Sequence, residues 1–287
     1  MAQQLEIDHF VFNYGDEFEE FVVGPYVEAH GAGLTPNPCI ECNRHIKFDA
    51  LLTRARQLGF DVVATGHHAQ IVETERGRRL ARGRDAAKDQ SYVLYMLGEE
   101  DLAMLEFPVG QMTKSEVREI AHDLDLRSAS KPDSQDVCFI TADEGRERFL
   151  SDRLQLNPGE VVDREGNSLG RVDAVELVTV GQRKGLNLGG KTGRSYAVSV
   201  DVKSRRVVAG AAEELLTSTL QLRDHVWADE PHVGPARLQI SAHASPNAGD
   251  LDVNGNATWS EPRRKVAPGQ AVVFYVDDIV VGGATAV

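Results

Sequence analysis

The sequence predicts an α/β fold, with a parallel-sheet layer domain first, a small mostly-β central domain second and a C-terminal β-barrel last. Three observations carry this reading. Helix-period runs alternate with short apolar runs up to about residue 140. Clean period-two alternation begins after Pro158-Gly159. From about residue 214 onward, short strands are separated by Pro, Gly and Asn segments. The expected boundaries are 1–143, 144–212 and 213–287.

In chain order, Phe18, Phe21, Val22, Tyr26 and Val27 predict a helix over 16–30, ended by Gly31 and Gly33. Leu51, Leu52, Ala55 and Leu58 share one face of a helix over 48–58, with Gly59 in the stop position. The apolar run from Phe60 to Ala64 halts at Thr65-Gly66, as a buried parallel strand does when its end opens onto a ligand. Thr113 with Glu116, and Thr141 with Glu144, form capping boxes for helices over 114–125 and 142–154. Ser134 to Ile140 reads as a polar loop running into an apolar strand, with Cys138 at its edge. Hairpins follow around Arg164–Asn167 and Lys203-Ser204, then strands at Ala236–Ile240 and Ala271–Tyr275.

Composition excludes several classes. The 287 residues are 41% hydrophobic and carry a net charge of −13, which fits a globular chain and argues against one that coats nucleic acid. No apolar run is long enough to span a membrane, and the start lacks a secretory pattern. Three cysteines cannot all pair, so a reducing, cytoplasmic location is expected.

The densest chemistry lies in GLTPNPCIECNRHIKF, residues 33–48. Its prolines stiffen a loop ahead of Cys39 and Cys42, and Arg44, His45 and Lys47 follow. Nearby cations lower a thiol pKa and favour the reactive thiolate. Half a zinc site is the competing reading, but it needs two more ligands, for which only Cys138 and scattered histidines are present. A buried structural cysteine pair is another. If Cys138 meets Cys42 across a cleft, the two can pass sulfur or close a disulfide.

Two basic runs stand out on an acidic chain. Residues 76–88 hold five arginines and Lys88 against Asp85 alone, and 177–200 hold no acid. Either suits phosphate contacts, or is a solvated face. Gly185 to Thr192 matches a phosphate-loop pattern, but a strand rather than a helix follows, so the match is rejected.

The stretches GLTPNPCIECNRHIKFDALL, VATGHHA, KDQSYVLYML, FPVGQMTKSEVREIA, SKPDSQDVCFI, VTVGQRKGLNLGG and APGQAVVFY occur here in one order. Together they resemble the bacterial tRNA-specific 2-thiouridylases. The resemblance implies an adenine-nucleotide α-hydrolase-like, PP-loop first domain. It also implies ATP, with Mg2+, adenylating C2 of the wobble uridine of tRNA before a persulfide delivers sulfur. Cys42 matches the family nucleophile, and Cys138 matches the thiol that carries sulfur from a sulfur-relay protein. Gly66 matches an ATP contact. Asn37, Pro38 and Cys39 match the loop that meets the target base. His67, the turn Lys88, Asp89 and Gln90, and Gln270 match tRNA contacts. Ser241 and Ala242 fall where other members carry an Arg-Tyr tRNA contact. No DNA or membrane partner is implied.

The chain lacks the family's Ser-Gly-Gly-x-Asp-Ser pyrophosphate loop, which cradles phosphates through backbone N–H groups. A chain that begins inside the first domain is therefore expected, and one that does not adenylate tRNA alone. A non-enzymatic tRNA-binding or sulfur-carrying remnant is the alternative.

Overall fold

Start signals in the sequence place the site helix earlier than its apolar periodicity does. The computed structural model describes residues 2–131, 137–141, 143–189 and 194–287. Asn37 caps the turn Pro38–Glu41, its Oδ1 accepting from the Cys39 N–H at 3.1 Å, with Pro38 at the first helical position. The helix runs on through a π-helical stretch, Cys42–Ala50, into Leu51–Gln57, and Gly59 at φ +78° ends it. It thus begins ten residues before the expected 48. It buries Ile40, Phe48, Leu52 and Ala55. The first helical run is likewise composite, Gly15–Phe18, Glu19–Val23 and Gly24–Gly31, burying Val22, Val23, Tyr26 and His30.

The helix Lys114–Asp123 carries the expected capping box, Glu116 Oε2 accepting from the Thr113 N–H at 2.6 Å. The second expected box is half formed. Glu144 N–H donates to Thr141 Oγ1 at 3.3 Å, but Gly145 at φ +69° delays the helix to Gly145–Ser151.

The parallel pairing is short: Val63–Ala64 lies beside Leu105–Glu106. Phe60 and Val62 are exposed, so the expected buried strand over 60–66 is here two residues with a single neighbour. The hairpin Ala69–Thr74 and Gly77–Arg82 turns away from that pair. It joins the C-terminal sheet through Ala81 opposite Ile279, making nine strands in all.

As a result the first and last parts of the chain share one core. Phe48, Leu52, Tyr92, Leu94, Leu102 and Leu105 pack with Val273, Tyr275 and Val280. Tyr92 also donates its hydroxyl to the Ala271 carbonyl at 2.8 Å. Each such buried side chain is worth about 1.5–3 kcal/mol, so each part stabilises the other. The central unit keeps its own core of Val161, Val172, Val175 and Val207. Its four strands are ordered Ser168–Val172, Gly159–Val162, Arg206–Gly210 and Tyr196–Asp201. The strand Tyr196–Asp201 follows the rejected phosphate-loop match, whose Gly190–Thr192 lie outside the described residues.

The basic run 76–88 is laced with ion pairs. Arg76 and Arg79 reach Asp229, Arg79 also Glu99, Arg78 reaches Glu73, Arg82 reaches Asp89, and Arg84 reaches Glu116, all within 3.6 Å. The guanidinium groups of Arg76 and Arg79 tie the hairpin to Asp229 on the barrel side, while Arg76 and Arg84 remain largely exposed. By contrast Arg183, Lys184 and Arg194 are exposed and make no ion pair among the described residues.

Candidate functional site

The loop Gly33–Asn37 is held on two sides. Thr35 N–H donates to the Pro268 carbonyl at 2.8 Å, docking it on the barrel turn that carries Gln270. A Cβ on Gly269, at φ +88°, would stand 2.9 Å from Leu34 Cβ, and one on Gly33 would stand 2.8 Å from Val202 Cγ2. Glycine is required at both places because the backbones approach closely in a left-handed conformation. The barrel and the central unit thereby fix the entry to the cysteine helix.

Three thiols come near one another at the start of that helix. Cys39 and Cys138 are exposed and Cys42 is half-buried, and all are free thiols in this structure. Cys138 is close enough to act electrostatically on both Cys39 and Cys42, although it is distant in sequence. It reaches them from a turn rather than from a strand edge. Phe139 packs edge-on against Phe18 and Tyr26, and Ile140 joins their cluster, drawing the segment onto the first helices. Ser134 to Asp136 lie outside the described residues.

Thiol acidity departs from expectation. Desolvation pushes the Cys42 thiol up from its ordinary value, the positive charge of Lys47 opposes this, and Cys138 adds to it. Desolvation also raises Cys39, with Cys138 and Cys42 adding and Lys47 opposing. Arg44 and His45 bring no relief because carboxylates take them. Arg44 pairs with Glu41 at 3.5 Å, and His45 lies 3.4 Å from Glu41 and 3.1 Å from Asp49, stacked on Phe21. Among the described residues no three His, Cys, Asp or Glu side chains are placed to hold a metal ion.

Gly66 follows the strand Val63–Ala64, is exposed, and has open space where a Cβ would stand, so backbone can meet a planar ligand there. His67 instead turns inward and is 7% exposed. Burial, with Lys47 and His68 adding, lowers its pKa to about 4, so it is neutral. Its Nδ1 lies 2.7 Å from Thr65 Oγ1 and its Nε2 3.5 Å from Lys47 Nζ.

The turn 88–90 divides in two. Lys88 is exposed. Asp89 is internal, accepting from Arg82 Nε at 2.9 Å, Gly83 N–H at 2.9 Å and Ser91 N–H at 3.0 Å. Gln90 Oε1 accepts from the His68 N–H at 2.9 Å. Ser241 gives its carbonyl to Gln239 and Ala244, and Ala242 packs on the shared core. Of the resemblance-derived residues, Asn37, Pro38, Cys39, Cys42 and Cys138 converge. Gln270 sits behind their loop, and Lys88, Ser241 and Ala242 lie on other segments. Thr65 was not singled out from sequence, and nothing in a strand-end threonine marks it.

Three family descriptions match in order. They are a tRNA methyl transferase HUP domain over 1–142, a tRNA methyl transferase PRC-barrel domain over 147–211, and an aminomethyltransferase β-barrel domain over 217–286. This combination defines a class of tRNA-modifying enzymes built on a nucleotide-binding layer and two β units. The tRNA-specific 2-thiouridylase MnmA of Chloroflexus aggregans is 44% identical over 288 residues, which cover 97% of this chain and 80% of that protein. Those of Roseiflexus sp. and Moorella thermoacetica are each 42% identical, over 99% of this chain and 83% and 82% of theirs. The chain belongs to the tRNA-specific 2-thiouridylase family. No helix among the described residues is long and apolar enough to cross a membrane.

Proposed function

We propose that the chain carries the thiol chemistry of sulfur transfer to C2 of the wobble uridine of tRNA, in a reaction whose activating adenylate comes from ATP with Mg2+. The meeting of Cys39, Cys42 and Cys138 beneath a clamped loop carries this reading. The uridine O2 attacks the α-phosphorus of ATP and pyrophosphate leaves. The outer sulfur of a Cys138 persulfide, loaded by a sulfur-relay protein, attacks C2, and AMP leaves with the old oxygen. For that sulfur to remain on carbon as sulfide, a thiolate must take the bond to the inner sulfur. Cys42 does so, forming a Cys42–Cys138 disulfide that a dithiol reductant reopens.

Gly66 receives the adenine nucleotide, and Asn37, Pro38 and Cys39 receive the base. Lys88, Gln270 and the exposed Arg183, Lys184 and Arg194 meet the tRNA backbone. Asp89, Gln90, Ser241 and Ala242 shape the surfaces beside them, since their polar groups or side chains are engaged internally.

The test incubates tRNA, ATP, a sulfur-relay donor and the protein, then digests the tRNA and measures 2-thiouridine by mass spectrometry, with AMP release measured in parallel. In an enzyme competent for adenylation, Cys42→Ala and Cys138→Ala abolish 2-thiouridine, whereas Cys39→Ala is milder. Thiolation surviving loss of Cys42 or Cys138 overturns the assignment. Robust AMP formation by the 287 residues alone overturns the expectation that they do not adenylate tRNA.

A further inference from the structure

Four cationic or imidazole side chains surround the thiol site, and they differ in what neutralises them. Arg44 and His45 face Glu41 and Asp49. His67 is neutral and buried between the rings of Phe48 and Phe107, at centroid distances of 5.8 and 5.9 Å. Of the cations, Lys47 has no carboxylate within 4 Å among the described residues.

The π-helical winding explains its position. In an α-helix residue i+5 is rotated by about 140° from residue i, whereas i→i+5 hydrogen bonding stacks it near residue i. Cys42–Ala50 is π-helical, so Lys47 comes round toward the Cys42 side of the helix. An ammonium only donates, so His67 Nε2 accepts from Lys47, and the proton on Nδ1 is left to donate to Thr65 Oγ1.

We infer that Lys47, anchored by neutral His67 and Thr65, is the positioning residue whose charge favours the Cys42 thiolate against desolvation for sulfur transfer. A histidine anchor fixes the amine without cancelling its charge, as a carboxylate would. His67 thus acts through Lys47 and not by touching tRNA. The other groups facing Cys42 are the Cys138 thiol, which disfavours its anion, and the Cys39 thiol, whose own anion Cys42 disfavours. This inference rests on the role proposed for Cys42, but its first readout needs neither tRNA nor ATP.

In the full chain carrying Cys39→Ala and Cys138→Ala, the iodoacetamide alkylation rate of Cys42 is followed from about pH 6.5 to about pH 10, spanning the ordinary thiol range. Lys47→Met moves the profile to higher pH and slows alkylation near pH 8 by about tenfold, the effect of losing one opposite charge nearby. Lys47→Arg keeps the parent profile within about twofold. His67→Ala shifts the profile in the same direction by less, because the amine is present but unanchored. All variants react alike once the thiol is fully ionised. Lys47→Gln, which is polar, repeats the test if the Met variant does not fold. An unchanged profile in a folded Lys47→Met or Lys47→Gln protein overturns the inference. Loss of thiolation without a shifted profile does so too. Failure of Cys42→Ala to abolish thiolation bears instead on the proposed function.

Discussion

Replacing Asp89 by Asn separates the two halves of the turn 88–90. The Asp89 side chain is 3% exposed and its Oδ2 takes the Arg82 Nε at 2.9 Å, while Oδ1 takes the N–H groups of Gly83 and Ser91. Asn keeps one acceptor for those two N–H groups but turns an amide donor or an uncharged oxygen toward Arg82. That guanidinium is 16% exposed and is left with Asp278 at 3.7 Å, itself 70% exposed. Removing one partner of a buried ion pair costs about 3–5 kcal/mol. The residual access of Arg82 to water puts this case near the lower figure, about 3 kcal/mol. With a urea slope of about 3 kcal/mol/M, the midpoint falls by about 1 M. Urea denaturation followed by tryptophan fluorescence reads this, and tRNA binding measured well below the transition reads the other half. Asp89→Asn leaves affinity unchanged, whereas Lys88→Ala leaves the midpoint unchanged, weakens binding and lowers the salt slope by about one. An Asp89→Asn protein as stable as the parent, or one that loses tRNA affinity at full stability, refutes the reasoning.

Further consequences are open to measurement. Gly269→Ala forces a methyl against Leu34 at a positive φ, so it costs about 1 kcal/mol or more in thermal denaturation and slows thiolation by displacing the Asn37–Cys39 loop. In the tRNA-free protein desolvation holds Cys39 and Cys42 above the ordinary thiol value of 9.0, so alkylation of either rises steeply only at alkaline pH. A reactive Cys42 at neutral pH without tRNA contradicts this. His30 and His67 have folded pKa values of about 4 against 6.5 unfolded, because both are buried. The unfolded chain then binds more protons between those values. Their contribution is fully present above about pH 6.5 and is lost as pH falls toward 4. Urea midpoints drop across that window, and less so in His67→Gln.

Much of the fold was legible because its signals are local. The Thr113–Glu116 box, the Gly59 stop and the alternation of Tyr196 to Val202 each mark an element that forms close to its expected place. The earlier start of the cysteine helix was also written in Asn37 and Pro38, a cap followed by proline, but the prolines read equally well as a stiff loop. What sequence did not carry was tertiary pairing. The arginines of 76–88 give no sign in sequence that Asp229, Glu99 and Glu116 arrive from distant segments to pair with them. Likewise Lys47 resembles its neighbours Arg44 and His45 until Glu41 and Asp49 claim those two and neutral His67 takes the lysine. Thiol acidity was misjudged for the same reason, since counting cations along the chain ignores both their partners and the desolvation of the thiol.

The account depends most on Cys42 and Cys138 sharing one site. Mild oxidation of the Cys39→Ala protein with a thiol oxidant, followed by proteolysis and mass spectrometry, asks this directly. A Cys42–Cys138 disulfide within a single chain is the predicted product. If both thiols stay free under oxidation, or bond only between chains, the proposed sulfur transfer is contradicted.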